Sequence, residues 1–146
     1  TDMAVAYPRW GFCEWVVRNS SSGGREYFKR STIDENPIPM RGDVDGDGRA
    51  DFIAFAAEVG TWHVTVGRSG SHGGVTERVR WGLPGDVPVT ADYDGDGRVD
   101  FGVFRPRYGV LYVRPTSGRV PPRMTAYPGG AQVSWGLAGD LPIAGW

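Results

Sequence analysis

A seven-residue segment returns twice at one spacing: DMAVAYP from Asp2, DFIAFAA from Asp51 and DFGVFRP from Asp100, 49 residues apart each time. Gly11, Gly60 and Gly109 keep the same frame, as do Trp15, Val64 and Val113, and Pro39 agrees with Pro88. Self-similarity of this kind dictates a row of equivalent units, each burying its apolar face on a neighbour. The third copy is longer. WGLPGDVPV from Trp81 comes back as WGLAGDLPI from Trp135, 54 residues on, so five additional residues lie between, near Pro121-Pro122 and Gly129-Gly130. The chain therefore divides into repeats at about 2–50, 51–99 and 100–146, within a single segment spanning 1–146.

A period near 50 is the size of a propeller blade, and the 3.6-residue apolar rhythm of helical repeats is absent. Composition agrees: 23 Gly and 11 Pro in 146 residues call for many turns and short strands. Each repeat reads as four strands. The segment after the repeated Asp is apolar on both faces, as in Phe52, Ala54, Ile53 and Phe55, and so belongs to a strand covered on both sides. The next alternates, with Trp62, Val64 and Val66 against His63 and Thr65, matched by Cys13, Trp15 and Val17 against Glu14 and Arg18, which predicts one wet face. A third strand carries Val75, Val79 and Trp81, and a fourth runs from Val87 to Thr90.

That fourth strand leads into a loop of acids and glycines, DVDGDGRAD from Asp43 to Asp51 and DYDGDGRVD from Asp92 to Asp100. Calcium takes six to eight oxygen ligands, and alternate residues of a tight loop converge on one point. Asp43, Asp45, Asp47 and Asp51 supply short charged oxygens in the first loop, and Asp92, Asp94, Asp96 and Asp100 in the second. The backbone carbonyls of Arg49 and Arg98 complete each shell, giving two calcium sites per chain. Position twelve is Ala54 or Val103 in place of the bidentate Glu of a helix-loop-helix site, so a helical calcium sensor is excluded. A metal-free Asx turn is the alternative reading, but four carboxylates within nine residues repel one another without a cation.

The order of strand, D-x-D-G-D-G-x-x-D loop and apolar strand ending as in FGVFRP resembles the FG-GAP repeats of integrin alpha-chain propellers, bacterial secreted proteins and calcium-containing mushroom lectins. The FG-GAP letters themselves are degraded here. The resemblance implies an all-β propeller of four-stranded blades, with calcium in the loop between the inner strand and the next. It further implies a glycan-binding or adhesive module that meets a glycan or a cell-surface protein, outside the cell. Trp10 and Tyr108 share one repeat position with Val59, before Gly11, Gly109 and Gly60, and are the candidate ligand contacts. Packing of that hairpin on its neighbour is the competing reading for both. Trp15 and Trp62 read as core.

Three blades do not close a ring, since propellers carry about four to eight. The strands Met3 to Tyr7 and Leu141 to Ala144 stand at the two ends of the array, and an unpaired edge is a hazard. Pairing them between copies predicts a homo-oligomer, a dimer of six blades or a trimer of nine. The alternative is a self-assembling scaffold, or a piece of a larger secreted propeller protein, without a ligand of its own.

The remaining features narrow the functions. Seventeen acidic and sixteen basic side chains are scattered without a basic stripe, which argues against nucleic acid. No apolar run reaches the roughly 18 residues of a membrane span, the N-terminus carries no signal segment, and the single Cys13 makes no disulfide framework. His63 and His72 read as surface residues in no metal spacing, and no G-x-S-x-G elbow is present, so an enzyme is not expected. Arg41-Gly42-Asp43 spells an adhesion tripeptide, but its Asp belongs to the first loop. Asn19-Ser20-Ser21 fits a glycosylation acceptor.

Overall fold

The computed structural model describes residues 37–66 and 77–142 with their side chains, and the backbone of 3–9, 12–18, 25–32 and 76. Among these residues the chain is all-β. Twelve strands form three antiparallel sheets. The first sheet holds β1 (Met3–Arg9), β2 (Phe12–Arg18) and β3 (Arg25–Thr32). The second holds β4 (Ile38–Gly42), β5 (Asp51–Ala56), β6 (Thr61–Thr65) and β7 (Thr76–Arg80). The third holds β8 (Val87–Ala91), β9 (Asp100–Arg105), β10 (Val110–Arg114), β11 (Thr125–Tyr127) and β12 (Gly130–Ser134), in spatial order β11-β12-β10-β9-β8.

The sheet boundaries fall ahead of the repeated Asp. β4 pairs with β5, closing at Gly42↔Asp51, and β8 pairs with β9, closing at Ala91↔Asp100. Each acidic loop is thus the connection of an antiparallel hairpin, and the last strand of one sequence repeat opens the next sheet. β4 lies beside β8, and β1 beside β4, so the three sheets stack in chain order.

The core lies where the second sheet meets the third. Ile53, Phe55, Trp62 and Val64 pack with Phe101 and Val103 in one buried cluster. Trp62, fully buried, has its ring 4.8 Å from that of Phe55 and 5.3 Å from that of Phe101, both tilted. Aromatic pairs of this kind add about 0.5–1.5 kcal/mol each beyond the area they bury. A second cluster, Val89, Phe104, Leu111 and Val113, fills the third sheet. The expected two-sided burial of the strand after the repeated Asp is present: Ile53, Ala54, Phe55 and Ala56 are all buried.

The expectation of one wet face on the next strand fails for β6, where Trp62, His63 and Val64 are all buried. Consecutive residues point to opposite faces, so both faces of β6 are covered, and His63 is a buried residue instead of a surface one. β10 does keep the alternation, with Leu111 and Val113 buried and Tyr112 half-buried. The third strand ends at Arg80, with Trp81 following it. Leu141 and Pro142 are not in a strand. Val75, His72, Asn19-Ser20-Ser21, Trp10 and 143–146 lie outside the described residues, as do the side chains of Cys13 and Trp15.

Candidate metal centre

The two acidic loops are built by the same hydrogen bonds. Asp43 opens the first by accepting from the Gly46 N–H at Oδ1 (2.6 Å) and the Gly48 N–H at Oδ2 (2.7 Å). Asp92 does the same with Gly95 (2.7 Å) and Gly97 (2.9 Å). Both turns need glycine, because Gly46, Gly48, Gly95 and Gly97 all sit at φ of 80° to 86°, a region that L side chains avoid. Asp51 closes the first loop by accepting from the Val44 N–H (2.8 Å), and Asp100 closes the second by accepting from the Tyr93 N–H (3.0 Å). Each loop is folded back on itself, with its first and last carboxylates brought together.

Two carboxylate triads result. Asp43, Asp45 and Asp51 bring one oxygen each within 4.8 Å of one another, and Asp92, Asp94 and Asp100 do likewise. In each triad the closing residue is the floor, Asp51 at 2% exposure and Asp100 at 0%, while the other two face the solvent side. All the donors are hard oxygens, with no thiolate or imidazole, a set suited to a hard divalent cation. These clusters could hold a metal ion.

Electrostatics point the same way. Burial pushes the Asp100 carboxyl up from its ordinary range, and the nearby Asp94 pushes it further. The N–H groups of Thr116 and Tyr93 pull it part of the way back. Burial, with the Asp100 charge beside it, also raises the Tyr93 phenol. A buried carboxylate whose charge is only partly offset by hydrogen bonds is one that a bound cation would stabilise.

The fifth-position acids stand at the edge of this arrangement. Asp47 and Asp96 are not in the triads; their Oδ1 atoms accept from the N–H groups of Arg49 (2.9 Å) and Arg98 (2.8 Å). The Arg49 and Arg98 carbonyls, expected as ligands, stand on the same turns two residues before Asp51 and Asp100. Sequence reasoning missed Thr116 and Ser117. Thr116 donates to Asp100 Oδ1 from its N–H (2.8 Å) and its hydroxyl (3.1 Å), and the Ser117 hydroxyl donates to Asp94 Oδ2. No spacing rule could have found them, since they reach back 16 and 23 residues from the β10–β11 connection.

The loops also touch each other. The Val99 N–H donates to the Asp43 carbonyl (2.7 Å), and a Cβ on Gly42 would lie 2.3 Å from Val99 Cγ2. Asp43 of the adhesion-like tripeptide has both carboxylate oxygens occupied inside its loop, as expected. Tyr108 stands 59% exposed in the turn between β9 and β10, with the Arg107 guanidinium 5.6 Å from its ring centre. Val59 is 51% exposed in the matching turn between β5 and β6. In comparisons with known proteins, no family model, no curated protein and no solved structure matches this chain.

Proposed function

We propose that the chain is a calcium-stabilised β-propeller segment that serves as a non-catalytic, extracellular binding module with a glycan or cell-surface ligand. The observation that carries this reading is the pair of equivalent aspartate triads, each closing a hairpin at the same place in the 49-residue repeat. Asp43, Asp45 and Asp51 hold one calcium ion, and Asp92, Asp94 and Asp100 the other, with Asp47, Asp96 and the Arg49 and Arg98 carbonyls on the same turns available to the shell. The ion supplies positive charge at a buried carboxylate and ties the two ends of each loop together.

The ordered stacking of antiparallel sheets supports the propeller reading, and the sheets of further copies complete the ring. Tyr108, exposed at a turn, offers an aromatic face of the kind that stacks on sugar rings. The carboxylates that face the Thr116 and Ser117 hydroxyls, Asp100 and Asp94, are the ones this reading assigns to metal. A rigid, carboxylate-rich site without a switching helix suits the calcium-rich extracellular medium.

A glycan array run with calcium and with chelator tests the assignment. Sugar binding that disappears with chelator and in Tyr108→Ala is the expected result. No sugar binding under either condition, together with chelator-induced loss of assembly, would replace the binding module by a self-assembling scaffold.

A further inference from the structure

The two acidic loops meet at one junction, and that junction runs between members of the two triads. Val99 stands directly before Asp100, the closing carboxylate of the second loop, and its N–H donates to the carbonyl of Asp43, the opening residue of the first (2.7 Å). The bond lies outside the strand ladders, since β4 ends at Gly42 and β9 begins at Asp100. One backbone hydrogen bond thus joins a residue of the first triad to the immediate neighbour of a residue of the second.

Side chains close the same junction. Val99 fills the space over Gly42, where an added Cβ would fall 2.3 Å from Val99 Cγ2 and 2.8 Å from its Cβ. The Arg98 side chain lies over Gly46, where an added Cβ would fall 2.9 Å from Nε and 3.5 Å from Cζ. A second route between the triads follows from that contact. Asp92 Oδ1 accepts from the Asp96 N–H (3.1 Å), and Asp96 Oδ1 accepts from the Arg98 N–H (2.8 Å). Arg98 then covers Gly46, whose N–H donates to Asp43 Oδ1 (2.6 Å). The strands that carry the loops, β4 and β8, also lie side by side.

We infer that the Arg98–Val99 junction couples the two triads, so that an ion held by one raises the affinity of the other. The inference rests on the reading that both triads bind calcium, and adds that they do so cooperatively. Carboxylates gathered without a cation repel one another and favour an opened loop, whereas an ion favours the closed one. Only two closed loops present Val99 to Gly42 and Asp43, and Arg98 to Gly46, so each ion stabilises the form on which the other loop packs. The coupling is therefore positive, and by linkage it is the same factor in both directions.

Calcium calorimetry on the whole chain measures that factor. Asp94→Ala isolates the first site and Asp45→Ala the second, and the wild-type constant for two ions is divided by the product of the two single-site constants. A ratio of roughly 5 or more is expected, falling to about 1 when the three measurements are repeated with Gly42→Ala, which wedges the junction apart, or with Arg98→Ala. Arg98 is exposed, so its truncation keeps the fold where the glycine variant does not. Two ions bound with a ratio of 1 in the wild type overturn the coupling and leave calcium binding standing. A ratio that survives both Gly42→Ala and Arg98→Ala overturns the junction as its route, and a wild type that binds no calcium overturns the underlying reading as well.

Discussion

At the scale of single residues, the two triads show how a turn motif brings carboxylates from both ends of a loop together. Glycines at φ near 80° allow Asp43 and Asp92 to accept two amide hydrogens each, which uses the loop's own N–H groups to orient the first carboxylate. The closing residues, Asp51 and Asp100, are buried, and their desolvation is offset in part by the N–H groups they accept from. Asp94 belongs to the triad, is half-buried and accepts from the Ser117 hydroxyl, a single side-chain bond at the loop edge whose loss costs the metal-free fold little beside the loss of a bound ion. Asp94→Ala is therefore expected to lower thermal stability much more in calcium than in chelator. With calcium at a hundred times Kd, the loss is about 2–3 kcal/mol by linkage. Differential scanning calorimetry of both proteins in both buffers checks it, and equal melting temperatures in calcium would remove Asp94 from the site.

At the scale of elements, the two hairpin loops act as neighbours. Gly42 ends β4 against the Val99 side chain, and the Asp43 carbonyl takes the Val99 N–H, so the first loop leans on the second. Gly42→Ala forces a methyl into space Val99 occupies, and overpacking of this kind costs about 1–3 kcal/mol. The expected outcome is a lower denaturant midpoint that Val99→Ala in the same chain partly recovers; a midpoint unchanged by Gly42→Ala would show that the loops move apart freely. Much at this scale is legible in the sequence. The apolar runs after Asp51 and Asp100 announce β5 and β9, and alternation places β10, because these signals are local. His63 is not legible: the pattern of β6 tells which side chains share a face, but only the neighbouring layers decide whether the opposite face is wet. Thr116 and Ser117 escape for a related reason, since their bonds to Asp100 and Asp94 cross between elements far apart in the chain.

At the scale of the whole molecule, the 49-residue frame organises the stacking of the sheets and the two acidic triads alike. Sheets two and three share one core through Trp62 and Phe101, and the Asp86–Arg105 clamp ties the connection from β7 to β8 onto the third sheet. The guanidinium of Arg105 is held charged by that hydrogen-bonded carboxylate, which adds to the grip. The repeat period and both loops could be read in advance because repetition multiplies a weak local signal. The sheet boundaries agree with the frame only once shifted by one strand, since hairpin closure at Gly42↔Asp51 and Ala91↔Asp100 joins the end of one repeat to the start of the next. The claim on which the rest depends is that the two triads bind calcium. Isothermal titration of calcium into chelator-stripped protein tests it most directly: two ions per chain are expected, falling to one in Asp45→Ala and in Asp94→Ala, whereas no binding heat together with an unchanged melting temperature would contradict it.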